Sequence, residues 1–149
     1  MIIIRTNSSH KDFIELVKQL DADLAERDGT DHAFYAQFNT VEKIKYAVIT
    51  YENGKPIACG ALKAYSPGSR EIKRMYTSPG SRGKGVAGKV LDELELWATE
   101  LQCEKCILET GKKQPEAIAL YQKNGYNVIP NYGQYRGIEN TVCFEKKLK

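Results

Sequence analysis

The residues most able to do chemistry converge on Arg82-Gly83-Lys84-Gly85-Val86-Ala87-Gly88, which follows the alternating segment Glu71–Thr77 and a break at Ser78-Pro79-Gly80. Three glycines in six positions, Gly83 to Gly88, let a backbone approach a ligand closely. A helix after them would add free N–H groups and the positive end of its dipole. Phosphate or pyrophosphate is the natural guest of such a loop. The helix itself is read from Val86, Ala87, Val90, Leu91, Leu94, Trp97, Ala98 and Leu101, which recur at helical spacing.

Three loop chemistries fit these letters to different degrees. Gly83-x-Gly85-x-x-Gly88 matches the dinucleotide fingerprint, and Glu109 falls about 20 residues on, where an acidic ribose ligand would stand. A nucleoside-triphosphate loop fits worse, because Ser78 stands where its first glycine belongs and Gly85 follows Gly83-Lys84 in place of Ser or Thr. The third pattern is Arg82-x-x-Gly85-x-Ala87, a basic, glycine-bearing loop that opens the helix. Cys103-x-x-Cys106 invites a zinc or redox reading. No second paired motif accompanies it, however, and His10 and His32 are the only histidines, so no metal site is expected.

The elements that must position the loop follow from periodicity. Ile2–Thr6 reads as a strand, and Ser9 with Asp12 as a capping-box-like start for a helix carrying Phe13, Leu16, Val17, Leu20 and Leu24. Asp28-Gly29 ends it, and a short helix is expected over Ala33–Phe38. Tyr46–Tyr51 and Ile57–Tyr65 alternate about Asn53-Gly54, a strong hairpin signal, and Glu71–Thr77 returns after Ser66-Pro67-Gly68-Ser69. Three strands joined by short turns make an antiparallel meander, which counts against a doubly wound, parallel dinucleotide sheet. Cys106–Thr110 then reads as a strand parallel to its predecessor, Pro115–Tyr121 as a short helix closed by Asn124-Gly125, and Tyr126–Ile129 and Thr141–Leu148 as final strands.

With 149 residues, the chain is expected to form one domain over 1–149 with a core of its own. Its net charge of +3 is far from the basic imbalance of a nucleic-acid binder, yet helps a polyanionic ligand. Met1-Ile2-Ile3-Ile4 is too short for a signal peptide and no stretch approaches a membrane span, so a cytoplasmic protein with free cysteines is expected.

Taken together, the order of elements resembles the GNAT superfamily of N-acetyltransferases over nearly the whole chain. The resemblance rests on Glu71-Ile72-Lys73-Arg74-Met75-Tyr76, on Arg82-Gly83-Lys84-Gly85-Val86-Ala87, and on Leu108-Glu109-Thr110-Gly111 with Gln114-Pro115-Glu116-Ala117 and Leu120-Tyr121. It implies an α+β fold with a mixed, mostly antiparallel central sheet and helices on both faces. In that family the loop binds the coenzyme A pyrophosphate, and two parallel strands splay so that the pantetheine arm lies between them. Cofactor contacts are therefore implied for Met75, Tyr76, Thr77, Arg82, Gly83, Lys84, Gly85, Val86, Ala87, Gly88, Thr110, Gln114, Ala117 and Tyr121. Backbone N–H groups around Tyr76 and Ser78 would hold the arm and the acetyl carbonyl.

The resemblance further implies transfer from acetyl-CoA straight to a bound primary amine, with Glu71 as the base, commonly through water, and Tyr121 as the acid near the coenzyme sulfur. Acceptor contacts are implied for Tyr35, Phe38, Glu71, Arg74, Tyr132 and Tyr135. The acceptor class stays open between an amino acid, a polyamine and a peptide terminus, and the assembly between monomer and homodimer. Two alternatives accompany this reading: a non-catalytic acyl-CoA-binding module, and a nicotinamide-dependent oxidoreductase using the glycine fingerprint.

Overall fold

The computed structural model describes residues 1–28 and 43–148. β1 (Ile2–Thr6) leads into helix α1 (Lys11–Asp28), and β2 (Tyr46–Glu52), β3 (Lys55–Ser66) and β4 (Ser69–Thr77) form the expected antiparallel meander. Helix α2 (Val86–Glu100), β5 (Lys105–Gly111), helix α3 (Pro115–Lys123), β6 (Asn127–Ile129) and β7 (Thr141–Lys147) follow. The strands build one seven-stranded sheet in the order β1-β2-β3-β4-β5-β7-β6. Among the described strands only β4 and β5 run parallel, because α2 crosses between them; every other neighbour is antiparallel. The expected helix over Ala33–Phe38 lies outside the described residues, as do Tyr35 and Phe38.

Side chains alternate across the sheet and so divide the core in two. Val48, Ala58, Leu62 and Ile72 pack under α2 with Val90, Leu91 and Leu94. Their neighbours Ala47, Ile49, Cys59 and Ala61 face the other way and meet Phe13, Leu16 and Leu20 of α1. The hairpin at Asn53-Gly54 has both central residues at positive φ (53° and 77°), the backbone that a two-residue turn between right-twisted strands requires.

The start of α1 differs from the capping box read in the sequence. Ser9 N–H and its hydroxyl both donate to Asn7 Oδ1, while His10 sits just before the helix and its ring Nδ1 accepts from Asp12 N–H. The imidazole thus takes the capping role expected of Ser9, and Asp12 is left to accept from the Tyr51 hydroxyl at 2.6 Å.

One irregularity positions everything that follows. β4 and β5 pair only through Ser69–Lys105, Arg70–Cys106 and Glu71–Ile107, although the strands continue to Thr77 and Gly111. A bulge opens β4 just beyond that point. Lys73 pairs with Ala61 and Tyr76 with Cys59, so two residues, Arg74 and Met75, oppose Gly60, and Arg74 takes φ 59°. The extra residue bends β4 away from β5. Gly60 makes room for it: a Cβ there would lie 2.7 Å from Met75 Sδ, 2.8 Å from Leu94 Cδ1 and 2.9 Å from Val90 Cγ1.

Candidate active site

Beyond Glu71 and Ile107 the facing edges of β4 and β5 have no strand partner among the described residues, while their other edges stay paired to β3 and β7. Unpaired backbone edges facing one another invite an extended, amide-bearing guest that can bond to both, as an added strand would. The ladder alternation says which groups of β4 are offered. Ser78 N–H donates to Ile57 O at 2.8 Å, so the N–H of Ser78 is spent on β3 and cannot hold an arm, contrary to the expectation from sequence. Two residues back, Tyr76 likewise faces β3, and Thr77 between them faces the slot.

The loop closes the upper end of this slot. Gly83 and Gly85 both take φ 78°, and Gly85 in that left-handed state is the N-cap of α2. Among the described residues no side chain caps the helix, and no acidic residue occupies its first turn. The N–H groups at Val86, Ala87 and Gly88 are thereby left for an anion. Arg82 is tied back: its Nε donates to Thr77 O at 2.8 Å, its Nη2 stands 3.8 Å from Asp23, and its guanidinium lies over the Tyr76 ring. It braces the loop against the end of β4. Lys84 is exposed.

One cleft runs from the loop to the base of the splay. Its upper part is lined by Tyr76, Thr77, Arg82, Gly83, Gly85, Val86, Ala87 and Gly88. Its lower part is lined by Glu71, Lys73, Arg74, Glu109, Thr110 and Tyr135. Met75, Gln114, Ala117 and Tyr121 line both. Ala117 and Tyr121 are four residues apart on α3 and so share the face turned to the slot. Burial, with Glu109 second, raises the Tyr121 phenol above its ordinary value of 10.0, which keeps it protonated.

At the base of the splay Glu71 is buried, and the Tyr132 hydroxyl donates to its Oε2 at 2.6 Å. Tyr132 is itself held edge-on by Tyr65 and Tyr135, with ring centroids 5.1 and 5.6 Å away. Burial and the neighbouring Glu71 push the Tyr132 phenol far up, so it stays a donor. Tyr132 therefore meets the carboxylate rather than the open cleft, whereas Tyr135 and Arg74 line the cleft itself. Glu109 accepts a hydrogen bond from the Thr141 hydroxyl and faces the cleft from β5.

Lys73 was not among the sequence candidates for the site, and Glu109 entered only as the acidic ribose ligand of the dinucleotide alternative. The signal that could have found Lys73 is period two, which puts it on the same face as Glu71. The four cysteines are all buried thiols. Burial pushes Cys59 and Cys106 up to about 12, and Cys143 to about 11. Among the described residues no three His, Cys, Asp or Glu side chains converge as a metal site.

A splayed parallel pair below an uncapped helix start and a twice left-handed glycine loop suits the arm and pyrophosphate of coenzyme A, and known proteins place the chain among the coenzyme A-dependent acyltransferases. Residues 13–126 match the model of the acetyltransferase (GNAT) family. The chain belongs to that family, and with it to the acetyltransferases that use acetyl-CoA. It is 28% identical over 138 residues to an IAA acetyltransferase of Azospirillum brasilense, covering 91% of this chain and 90% of that one. It is 33% identical over 114 residues to the uncharacterized N-acetyltransferase YsnE of Bacillus subtilis (strain 168), covering 72% and 76%. A Klebsiella pneumoniae structure assigned by name to the acyl-CoA N-acyltransferases superposes with a TM-score of 0.83 at 29% identity, over 99% of this chain and 97% of that one. A Thermoplasma acidophilum N-acetyltransferase in complex with coenzyme A shares the fold at a TM-score of 0.68 and 17% identity, each chain covered to 99%. The α+β architecture expected from the sequence is the one found. No helix among the described residues is long and apolar enough to cross a membrane.

Proposed function

We propose that the chain transfers the acetyl group of acetyl-CoA to a primary amine by direct attack, with both substrates bound together. The observation that carries this reading is the loss of β4–β5 pairing right after Glu71, which leaves a carboxylate at the foot of the slot and a phenol, Tyr121, along its wall. Glu71 takes the amine proton, directly or through water; a slot-facing backbone N–H of β4 stabilises the oxyanion; Tyr121 returns a proton to the departing thiolate. Holding amine and thioester in one cleft contributes much of the rate. Direct transfer is supported by the lining of the lower cleft, which among the described residues offers no thiol. The four unpaired thiols support a reducing compartment, the cytoplasm.

Initial rates over a grid of acetyl-CoA and amine concentrations test the order of events: intersecting double-reciprocal lines are expected, and parallel lines would mean an acetylated enzyme. Glu71→Gln and Tyr121→Phe should each lower kcat by about 10²-fold or more while acetyl-CoA still binds. Because the Tyr121 phenol is raised by burial, the wild type should keep its acid through pH 10 instead of losing activity there. Unaltered turnover in both variants would remove these assignments.

A further inference from the structure

The acceptor end of the cleft carries charge of both signs. Glu71 and Lys73 stand two residues apart on β4, roughly 6.6 Å along the strand, and Lys73 pairs with Ala61, whose side chain faces α1. Arg74 follows at the bulge, and Glu109 lines the same recess from β5. Glu71, Lys73 and Arg74 are only 6%, 8% and 8% exposed. Lysine and arginine are rarely buried this far unless opposite charge accompanies them. Two cations and two anions give a recess without net charge. Asp21 on α1 stands outside this count: it lies at the rim, 3.6 Å from Arg74 Nη1 and half exposed, where water screens its charge.

A guest of one sign upsets that balance in a place with little water to screen it. A polyamine would bring two or more positive charges beside Lys73 and Arg74. An amine that also carries a carboxylate brings both signs, exchanges one set of ion contacts for another and leaves the sum at zero. The planar fork of arginine fits a carboxylate in particular. We propose that the acceptor is a zwitterion, an amino acid whose amino group is presented to Glu71 while Arg74 and Lys73 hold its carboxylate. This rests on the amine-acetylating reading above and selects the substrate class for it.

The test pairs turnover with binding. Initial rates with acetyl-CoA are measured for each proteinogenic α-amino acid, for its α-carboxamide and for spermidine, and the same compounds are titrated calorimetrically into the coenzyme A-loaded protein. At least one amino acid should exceed its own carboxamide by about tenfold or more in kcat/KM. Arg74→Gln should bring that ratio towards one, chiefly by raising KM for the amino acid, with Lys73→Met as the second variant. Titration with coenzyme A shows that each variant keeps its cofactor site. Spermidine or the carboxamides matching or outdoing the amino acids would overturn the proposal, and so would the absence of both binding and turnover for every amino acid. Binding of an amino acid without acetylation would uphold the recess and remove the transfer reading instead.

Discussion

Glu71 is held by a short contact from Tyr132, and its worth can be measured. The Tyr132 hydroxyl fixes Oε2, which turns the other carboxylate oxygen to the proton of the amine or of a bridging water in the proposed reaction. A hydrogen bond to a charged group contributes about 1.5–3 kcal/mol, so losing it and freeing the carboxylate to rotate should cost kcat on the order of ten- to a hundredfold. Tyr132→Phe keeps the ring between Tyr65 and Tyr135, and with it the packing of the late loop. The expected result is a lower kcat with acetyl-CoA affinity preserved, read from steady-state rates and calorimetry. An unchanged kcat would mean that Glu71 is oriented by other contacts.

Among the elements, β4 matters most because its bulge makes the splay. Gly60→Ala would put a methyl group within 3 Å of Met75, Val90 and Leu94 at once. Overpacking of this kind costs about 1–3 kcal/mol, and the side chain most free to yield is Met75, which lines the cleft. The variant should therefore show both a lower Tm and weaker acetyl-CoA binding; a lower Tm with unaltered affinity would separate the bulge from the slot. Gly60 also shows where sequence reading stops. The strands, α2 and the glycine loop were legible because period two, period 3.6 and paired glycines are local signals. The bulge was not: Arg74 at positive φ has no marker in its own letters, and its cause lies across the ladder in Gly60. The same holds for Tyr132, legible as a polar aromatic in a loop but not as the partner of a carboxylate 61 positions away. His10 took the cap from Ser9 because its ring nitrogen reaches Asp12 N–H, a contact that the preference for Ser at helix starts does not foresee.

At the scale of the molecule, the sheet is two antiparallel groups, β1 to β4 and β5 to β7, joined by only three parallel residue pairs. Helix α2 bridges them: Val90, Leu91 and Leu94 share one core with Ile72 of β4 and with Leu108 of β5. The edges left open between the groups are the edges an extended ligand would bond. Bound acetyl-CoA should then act as the missing ladder, and its effect should be local in a way that simple stabilisation is not. Ligand at 100 times its Kd stabilises the folded state by about 2.7 kcal/mol, which slows exchange of every amide that needs global unfolding. The amides turned into the slot, Thr77 on β4 and those at the head of α2 from Val86 to Gly88, instead exchange by local opening or are already exposed, so only direct bonds to the ligand can protect them. Hydrogen exchange with and without acetyl-CoA distinguishes the two. The expectation is new protection at Thr77 and Val86–Gly88, with Ser78, already bonded to Ile57, shifting no more than the global change. Equal shifts at Ser78 and Thr77 would mean that the arm does not pair with β4, and the sheet would then owe its splay to the bulge alone.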